Sequence, residues 1–227
     1  EPYESKVLFL DPSGRGKDET AWAIVGALNG ILYVLQCCGF ASDPAEAMAR
    51  IAVDAKKYNV STIEVEPNYG QGMWTVAFQP ILSNIWQGGC TVKESEWAKG
   101  QKEGRIIDTL EPVMAQHRLV LDEDLAKREA RTEDHTFSLL YQLTHITRDR
   151  GALRHDDRLD ALAGAVAHYM RSMGQDVDEA ARGVLQQRMD DEIDDFMEFM
   201  EGGAMVGRSR GRMRNGVRTE VWSTDRS

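Results

Sequence analysis

The stretch Leu8–Ile24 reads LFLDPSGRGKDETAWAI: an apolar run ends at Asp11, a loop follows with two glycines and a lysine, and a second apolar run begins near Thr20. A phosphate-cradling loop is one interpretation. Such a loop needs four residues between its first glycine and the Gly-Lys pair, then Ser or Thr, then a helix. Here Arg15 alone separates Gly14 from Gly16, Asp18 follows Lys17, and the next run is β-rich. Attention therefore falls on Asp11. An unpaired carboxylate is costly to bury, so an acid ending an apolar strand needs a cation, hydrogen-bond donors or open solvent. Taken alone, Asp-Pro-Ser-Gly is equally a turn, with Asp11 capping the N–H groups of Ser13 or Gly14.

Three β-rich runs open the chain: Lys6 to Asp11, Thr20 to Leu28 and Ile31 to Cys38. Asn29-Gly30 joins the last two, and both residues accept the positive φ of a hairpin turn, so a three-stranded antiparallel meander is expected. Asp43-Pro44 then opens a helix through about Tyr58, with Ala47, Ile51, Ala52 and Ala55 on one face. Val60 to Glu66 is a strand that stops at Pro67. Alternation puts Glu64 and Glu66 on one face, and Glu66 leaves its strand as Asp11 leaves the first. If these strands are parallel neighbours, both acids emerge at one sheet edge. Glu64 itself is expected at the surface.

Helical spacing recurs over residues 70–86 and 104–117, the second crossed by Pro112, which should kink or bound it. Brief extended runs are expected at 90–92 and 118–121, while residues 122–150 fit no single pattern. The clearest late element is DDRLDALAGAVAHYMRSM, residues 156–173. Asp157 and Asp160 lie three residues apart, on one helix face. Asp157 falls in the first turn, where the helix dipole favours an anion, and that alone is a capping role. Ala161, Leu162 and Ala165 suit close packing on a sheet, which would turn the acidic edge inward. The order gives an α/β fold, a central mixed sheet of an antiparallel meander plus parallel strands, flanked by helices.

Carboxylates from two strand ends and a helix start form a hard-oxygen site suited to Mg²⁺ or Mn²⁺. Two such ions about 4 Å apart activate water and stabilise a leaving oxygen in phosphodiester hydrolysis.

Together DPSGRGKDETAWAI, EPNYGQG, RIIDTLEPV and HDDRLDALA resemble the motifs of the nuclease domain of the large terminase subunit of short-tailed bacteriophages, of the RNase H-like superfamily. The resemblance covers roughly Val7 to Met173. It implies a metal-dependent DNA endonuclease, using two Mg²⁺ or Mn²⁺ ions, that cuts concatemeric viral DNA with little sequence preference. Asp11 takes the place of the bridging aspartate, Glu66 that of the fourth-strand acid and Asp157 that of an acid on the last helix. Asp157 is the first choice there, and Asp160 a further metal ligand. His155 or Asp156 is a candidate to orient water or a second metal.

The resemblance also implies an ATPase motor domain elsewhere in the full-length protein, and a phage portal and small terminase subunit as partners. The expected place is the host cytoplasm, transiently at the viral procapsid. Arg15 and Lys17 beside the first loop, and Lys99, Lys102 and Arg105 in AKGQKEGRI, are candidate phosphate contacts. Arg148, Arg150 and Arg154 are further ones. Tyr69, Met73, Trp74 and Phe78 are expected in the core. His117, His135, His145 and His168 lack metal-ligand spacing and are expected to be structural or at the surface.

At 227 residues with 42% hydrophobic residues, the chain suits one domain plus a tail. A net charge of −10 argues against a surface that attracts nucleic acid everywhere, but not against a local basic groove. Three cysteines are too few for a disulfide framework; Cys37 and Cys38 are expected inside a strand, as in a reducing compartment. No long apolar run suggests a membrane span. A nuclease domain is expected over 1–174. Over 175–227 the acidic DDEIDDFMEFME and the basic RSRGRMRNGVR predict a charged tail, partly disordered or partner-binding. The chain begins at Glu1 without methionine, as an excised piece of something longer would. Two rivals remain: a catalytically silent module docking portal or small subunit, with its acids as caps, and a Holliday-junction resolvase.

Overall fold

The computed structural model describes residues 2–12, 19–41, 43–67, 72–97 and 100–172, with Met189 and Ile193 beyond them. The chain divides into two units, Glu1–Gln175 and Asp176–Ser227, and the elements that follow belong to the first. Arg15, Lys17, Tyr69, Lys99 and, those two residues apart, the segment 175–227 lie outside the described residues.

Strand β1 (Ser5–Asp11) pairs antiparallel with β2 (Thr20–Leu28), which pairs antiparallel with β3 (Ile31–Phe40). Asn29 and Gly30 turn the hairpin with φ of 50° and 74°, the left-handed conformation that this dipeptide accepts. The meander is thus as its sequence predicts, with β3 running two residues past Cys38. Asp43 caps helix α1 (Pro44–Tyr58), accepting from the Ala45 N–H at 2.9 Å. Asn59 ends that helix in a left-handed conformation. Ala47, Ile51, Ala52 and Ala55 are buried, as their spacing requires.

Helix α1 carries the chain to β4 (Thr62–Val65), which runs parallel to β1. Next come α2 (Met73–Ile85) and β5 (Thr91–Glu94), parallel to β4. Then α3 (Lys102–Ala115) leads to β6 (Leu119–Leu121), parallel to β3. The sheet order is β5-β4-β1-β2-β3-β6. Pro112 does not bound α3, which continues to Ala115. Its missing N–H removes one backbone bond from the helix. Residues 122–150, unassigned from sequence, hold α4 (Glu123–Glu129), a 3₁₀ turn (His135–Phe137) and α5 (Leu139–His145). Helices of seven residues are too short to show a period. The last helix, α6, is described over 157–172.

Alternation along β1 divides the core. Leu8 and Leu10 join Ile51, Ile63, Trp74 and Phe78 on the α1–α2 side. Val7 and Phe9 join Ile106, Leu139, Leu159 and Leu162 on the side of α3 to α6. Met73 departs from expectation: Trp74 and Phe78 fill the core side of α2, while Met73 is 72% exposed. Cys37 is buried, but Cys38 is only partly so.

Helix α6 is pinned at both ends of its described length. Arg158 meets Glu19 through two N–H···O bonds of 3.0 and 3.2 Å, and the Tyr169 hydroxyl lies 3.1 Å from the carbonyl oxygens of Ser5 and Val25. Between them Ala161, Leu162 and Ala165 are fully buried, and a Cβ added to Gly164 would stand 2.5 Å from the Phe9 ring. The helix lies too close to β1 for any side chain there. Gly164→Ala should therefore lower stability: overpacking costs about 1–3 kcal/mol, against a helix-propensity gain of about 1 kcal/mol. Urea unfolding measures this, and combining it with Phe9→Leu should cost less than the sum of the two single changes.

Candidate metal centre

The parallel register pairs Leu10 with Val65, and the Glu66 N–H donates to the Leu10 carbonyl at 2.9 Å. Asp11 and Glu66, next along each strand, therefore stand side by side at one sheet edge. Both carry the alternation toward α3 and α6, where Asp160 faces them. One carboxylate oxygen from each of Asp11, Glu66 and Asp160 lies within 4.8 Å of the other two. The three residues are 8%, 2% and 1% exposed.

Among the described residues, two cations enter the cluster. The Lys102 ammonium lies 2.9 Å from Asp156, 3.1 Å from Asp160, 3.8 Å from Asp157 and 3.9 Å from Asp11. The Arg105 guanidinium donates to Asp160 at 3.1 and 3.2 Å, stands 3.5 Å from Glu66 and stacks 4.0 Å over Trp97. Trp97 in turn packs edge-on against Phe9. Lys102 and Arg105, read from sequence as phosphate contacts, thus face the acids. Asp157 begins α6 one turn before Asp160 and meets the cluster through Lys102.

Among the described residues, five carboxylates against two cations leave a deficit of positive charge, which disfavours the ionised acids. Burial, with Asp160 and Glu66 alongside, pushes the Asp11 carboxyl well above the usual carboxylate range. Burial also pushes Asp160 up to about 6, Glu66 adding to the rise while Lys102 and Arg105 oppose it. Burial disfavours the charge on Lys102, yet Asp160, Asp11 and Asp156 hold it protonated above its ordinary range. Glu66 Oε1 is buried and accepts no hydrogen bond. A buried oxygen with no hydrogen bond among the described residues, only the Arg105 guanidinium at 3.5 Å, set among hard carboxylates that outnumber their described cations, fits Mg²⁺ or Mn²⁺.

Glu64 is a correction: expected at the surface, it is 1% exposed. Its Oε1 accepts from His168 at 2.7 Å and from Lys93 at 3.0 Å, and its Oε2 from Arg171 at 2.8 Å. Burial works against the ionised form, but these partners hold its carboxyl down at about 2. The signal was available in the alternation. Glu64 shares the face of Glu66, the face that α6 covers, and His168 and Arg171 lie three residues apart on that helix.

Arg158 went unremarked in sequence, although it ties the start of α6 to Glu19 and lies 3.8 Å from buried Glu129. His155 stacks on Phe137, with its Nδ1 buried and unpartnered, and Asp156 is taken up by Lys102. Arg148 pairs with Asp108 on the surface.

Residues 10–119 match the family described as Terminase Bacteriophage T7, Ribonuclease H-like domain. The terminase large subunit of Enterobacteria phage T3 is 36% identical over 200 residues, which is 85% of this chain and 34% of that protein. The chain thus spans about a third of the relative's length. Among solved structures, the human cytomegalovirus terminase nuclease domain, Mn-soaked and inhibitor-bound, superposes with a TM-score of 0.54 at 15% identity, covering 73% of this chain and 82% of that one. Its Mn-soaked form without the inhibitor gives 0.52 at 14% identity, with the same coverage. The mixed six-stranded sheet between helical layers is therefore an RNase H-like terminase nuclease fold. Within that class, the chain belongs to the RNase H-like domains of the phage terminase large subunits.

Divalent cations should compete with the protons held here. In the cation-free chain, Asp160 titrates near 6 against an ordinary 3.8. Its contribution to stability is thus full below the lower value and lost as pH rises through the higher one. Mn²⁺ should consequently raise the melting temperature more at about pH 7.5 than at about pH 5, and Asp160→Asn should remove most of that shift. Differential scanning fluorimetry with and without Mn²⁺ reads both.

Proposed function

We propose that the chain is a metal-dependent DNA endonuclease of a phage packaging motor, cutting concatemeric viral DNA with little sequence preference. The observation that carries this is the convergence of Asp11, Glu66 and Asp160 from β1, β4 and α6 within 4.8 Å. These three, with Asp157, would hold Mg²⁺ or Mn²⁺, two ions in all. When bound, such ions supply Lewis-acid activation of water and charge stabilisation at the leaving oxygen.

The chain's own residues do the rest. Strand pairing fixes the backbone of Asp11 and Glu66, so both carboxylates are delivered to the same sheet edge. Arg105, stacked on Trp97, fixes the orientation of the Asp160 carboxylate through two hydrogen bonds. Lys102, one-third exposed and held protonated by its acids, keeps the cluster partly neutralised and presents a cation at its open side. A phosphodiester approaching there meets Lys102, the most exposed of these groups, beside Asp156 and Asp157. Contacts of this kind favour backbone over base recognition, consistent with cutting at many sequences.

In this reading the ATPase motor belongs to the remainder of the full-length protein. The segment 175–227 is a charged tail that meets the portal or the small terminase subunit, and the protein works in the host cytoplasm at the procapsid. A four-way junction should be cut no faster than linear duplex, which separates it from a resolvase.

Asp11→Ala should abolish Mn²⁺-dependent nicking of plasmid while circular dichroism and melting show an intact fold. Asp160→Asn should reduce nicking at least about 100-fold, the scale of losing a principal electrostatic group from an active site. Full cleavage by folded, pure Asp11→Ala protein would sink the proposal. Anomalous density from a Mn²⁺-soaked crystal would place the ions relative to Asp157 and Asp160.

A further inference from the structure

An open groove of about 700 Å³ runs beside α3 and α6. It borders the acid cluster through one side chain, Arg105, which lines it while bonding Asp160. Three arginines line the groove, Arg105, Arg148 and Arg171, against one acid, Asp108. Each has a carboxylate partner, Asp160, Asp108 and Glu64 in turn, and of these pairs only Arg148–Asp108 is exposed on both sides. Eleven residues of α6 separate Asp160 from Arg171, about 16 Å of helix rise.

Gly104 identifies where a ligand comes close. It sits in the first turn of α3, on the groove wall, in a backbone conformation open to any residue. A Cβ added there meets nothing within 4 Å, unlike that of Gly164. Glycine weakens a helix relative to alanine, and here no packing or left-handed turn asks for it. What the glycine does is leave the helix backbone bare on the groove. Gly100, also on the wall, meets open space as well.

The remaining chemistry suits a sugar–phosphate chain. Arg148 is 60% exposed and paired with an equally exposed Asp108, a surface ion pair that exchanges for another anion at little cost. The Arg105 Nε is buried without a hydrogen-bond partner. Ala167 and Met170 add an apolar wall for deoxyribose.

We propose that this groove seats the phosphate backbone of the DNA strand leading to the acid cluster, with Gly104 at the closest approach and Arg148 and Arg171 on successive phosphates. The proposal rests on the endonuclease reading and deepens it. The test uses the 227-residue chain with a labelled duplex of about 30 base pairs, comparing wild type with Gly104→Leu and Arg148→Gln. Gly104→Leu should raise the KM for Mn²⁺-dependent nicking at least tenfold, with kcat within twofold and the melting temperature not lowered. Arg148→Gln should reduce the slope of log affinity against log salt by about one, a readout that a purely structural role would not move. Should Gly104→Leu destabilise the chain, the salt slope of Arg148→Gln decides. If wild type nicks DNA and both variants keep its KM and salt slope, the groove is not the DNA path and the nuclease reading stands. If wild type neither binds nor nicks DNA, both fall.

Discussion

The parallel pairing of β4 with β1 is the constraint on which the acid cluster depends. It sets Leu10 against Val65, and so brings the next residue of each strand, Asp11 and Glu66, to a common edge. The pairing is secured by ordinary hydrophobic alternation. Leu8, Leu10, Ile63 and Val65 all enter the core beneath α1 and α2, so a slip of one residue would turn each of β4's apolar side chains away from it. Packing on one side of the sheet thus positions chemistry on the other. The close seating of α6 on Phe9, which Gly164 permits, then brings Asp160 down onto the pair.

Electrostatics set the character of what these elements assemble. Buried like charges at such distances oppose folding unless they are neutralised. Lys102 and Arg105 do this only in part, and burial raises the carboxyls of Asp11 and Asp160 above the usual carboxylate range. The cluster is therefore locally unfavourable to stability, and the surrounding packing bears that cost. A buried Glu66 oxygen without a donor marks the same imbalance at the level of one atom.

Most of the fold was legible because its early elements carry strong local signals: Asn29-Gly30 for the hairpin, Asp43-Pro44 for the start of α1, alternation for β1 and β4. Asp11 and Glu66 were legible as strand-end acids for the same reason. What the sequence could not convey was depth. Asp157 and Asp160 share a helix face, yet the packing angle of α6 buries Asp160 almost completely and leaves Asp157 more open. Charge partners were equally hidden, since Lys102 and Arg105 reach Asp160 from more than fifty residues away, and Arg158 reaches Glu19 across 139. The short helices between residues 122 and 150 left no period to read.

The buried Glu64 has a consequence for how the chain finds its pairing. A slip of two residues between β1 and β4 would keep the alternation of faces and exchange one glutamate for another at the sheet edge, while setting Ser61 where Ile63 packs in the core. Charge opposes it as well. Such a slip would present Thr62 to Lys93, His168 and Arg171, stranding the cations that Glu64 satisfies. The second acid on β4 acts as a registration mark, adding charge to hydrophobicity in setting the native alignment.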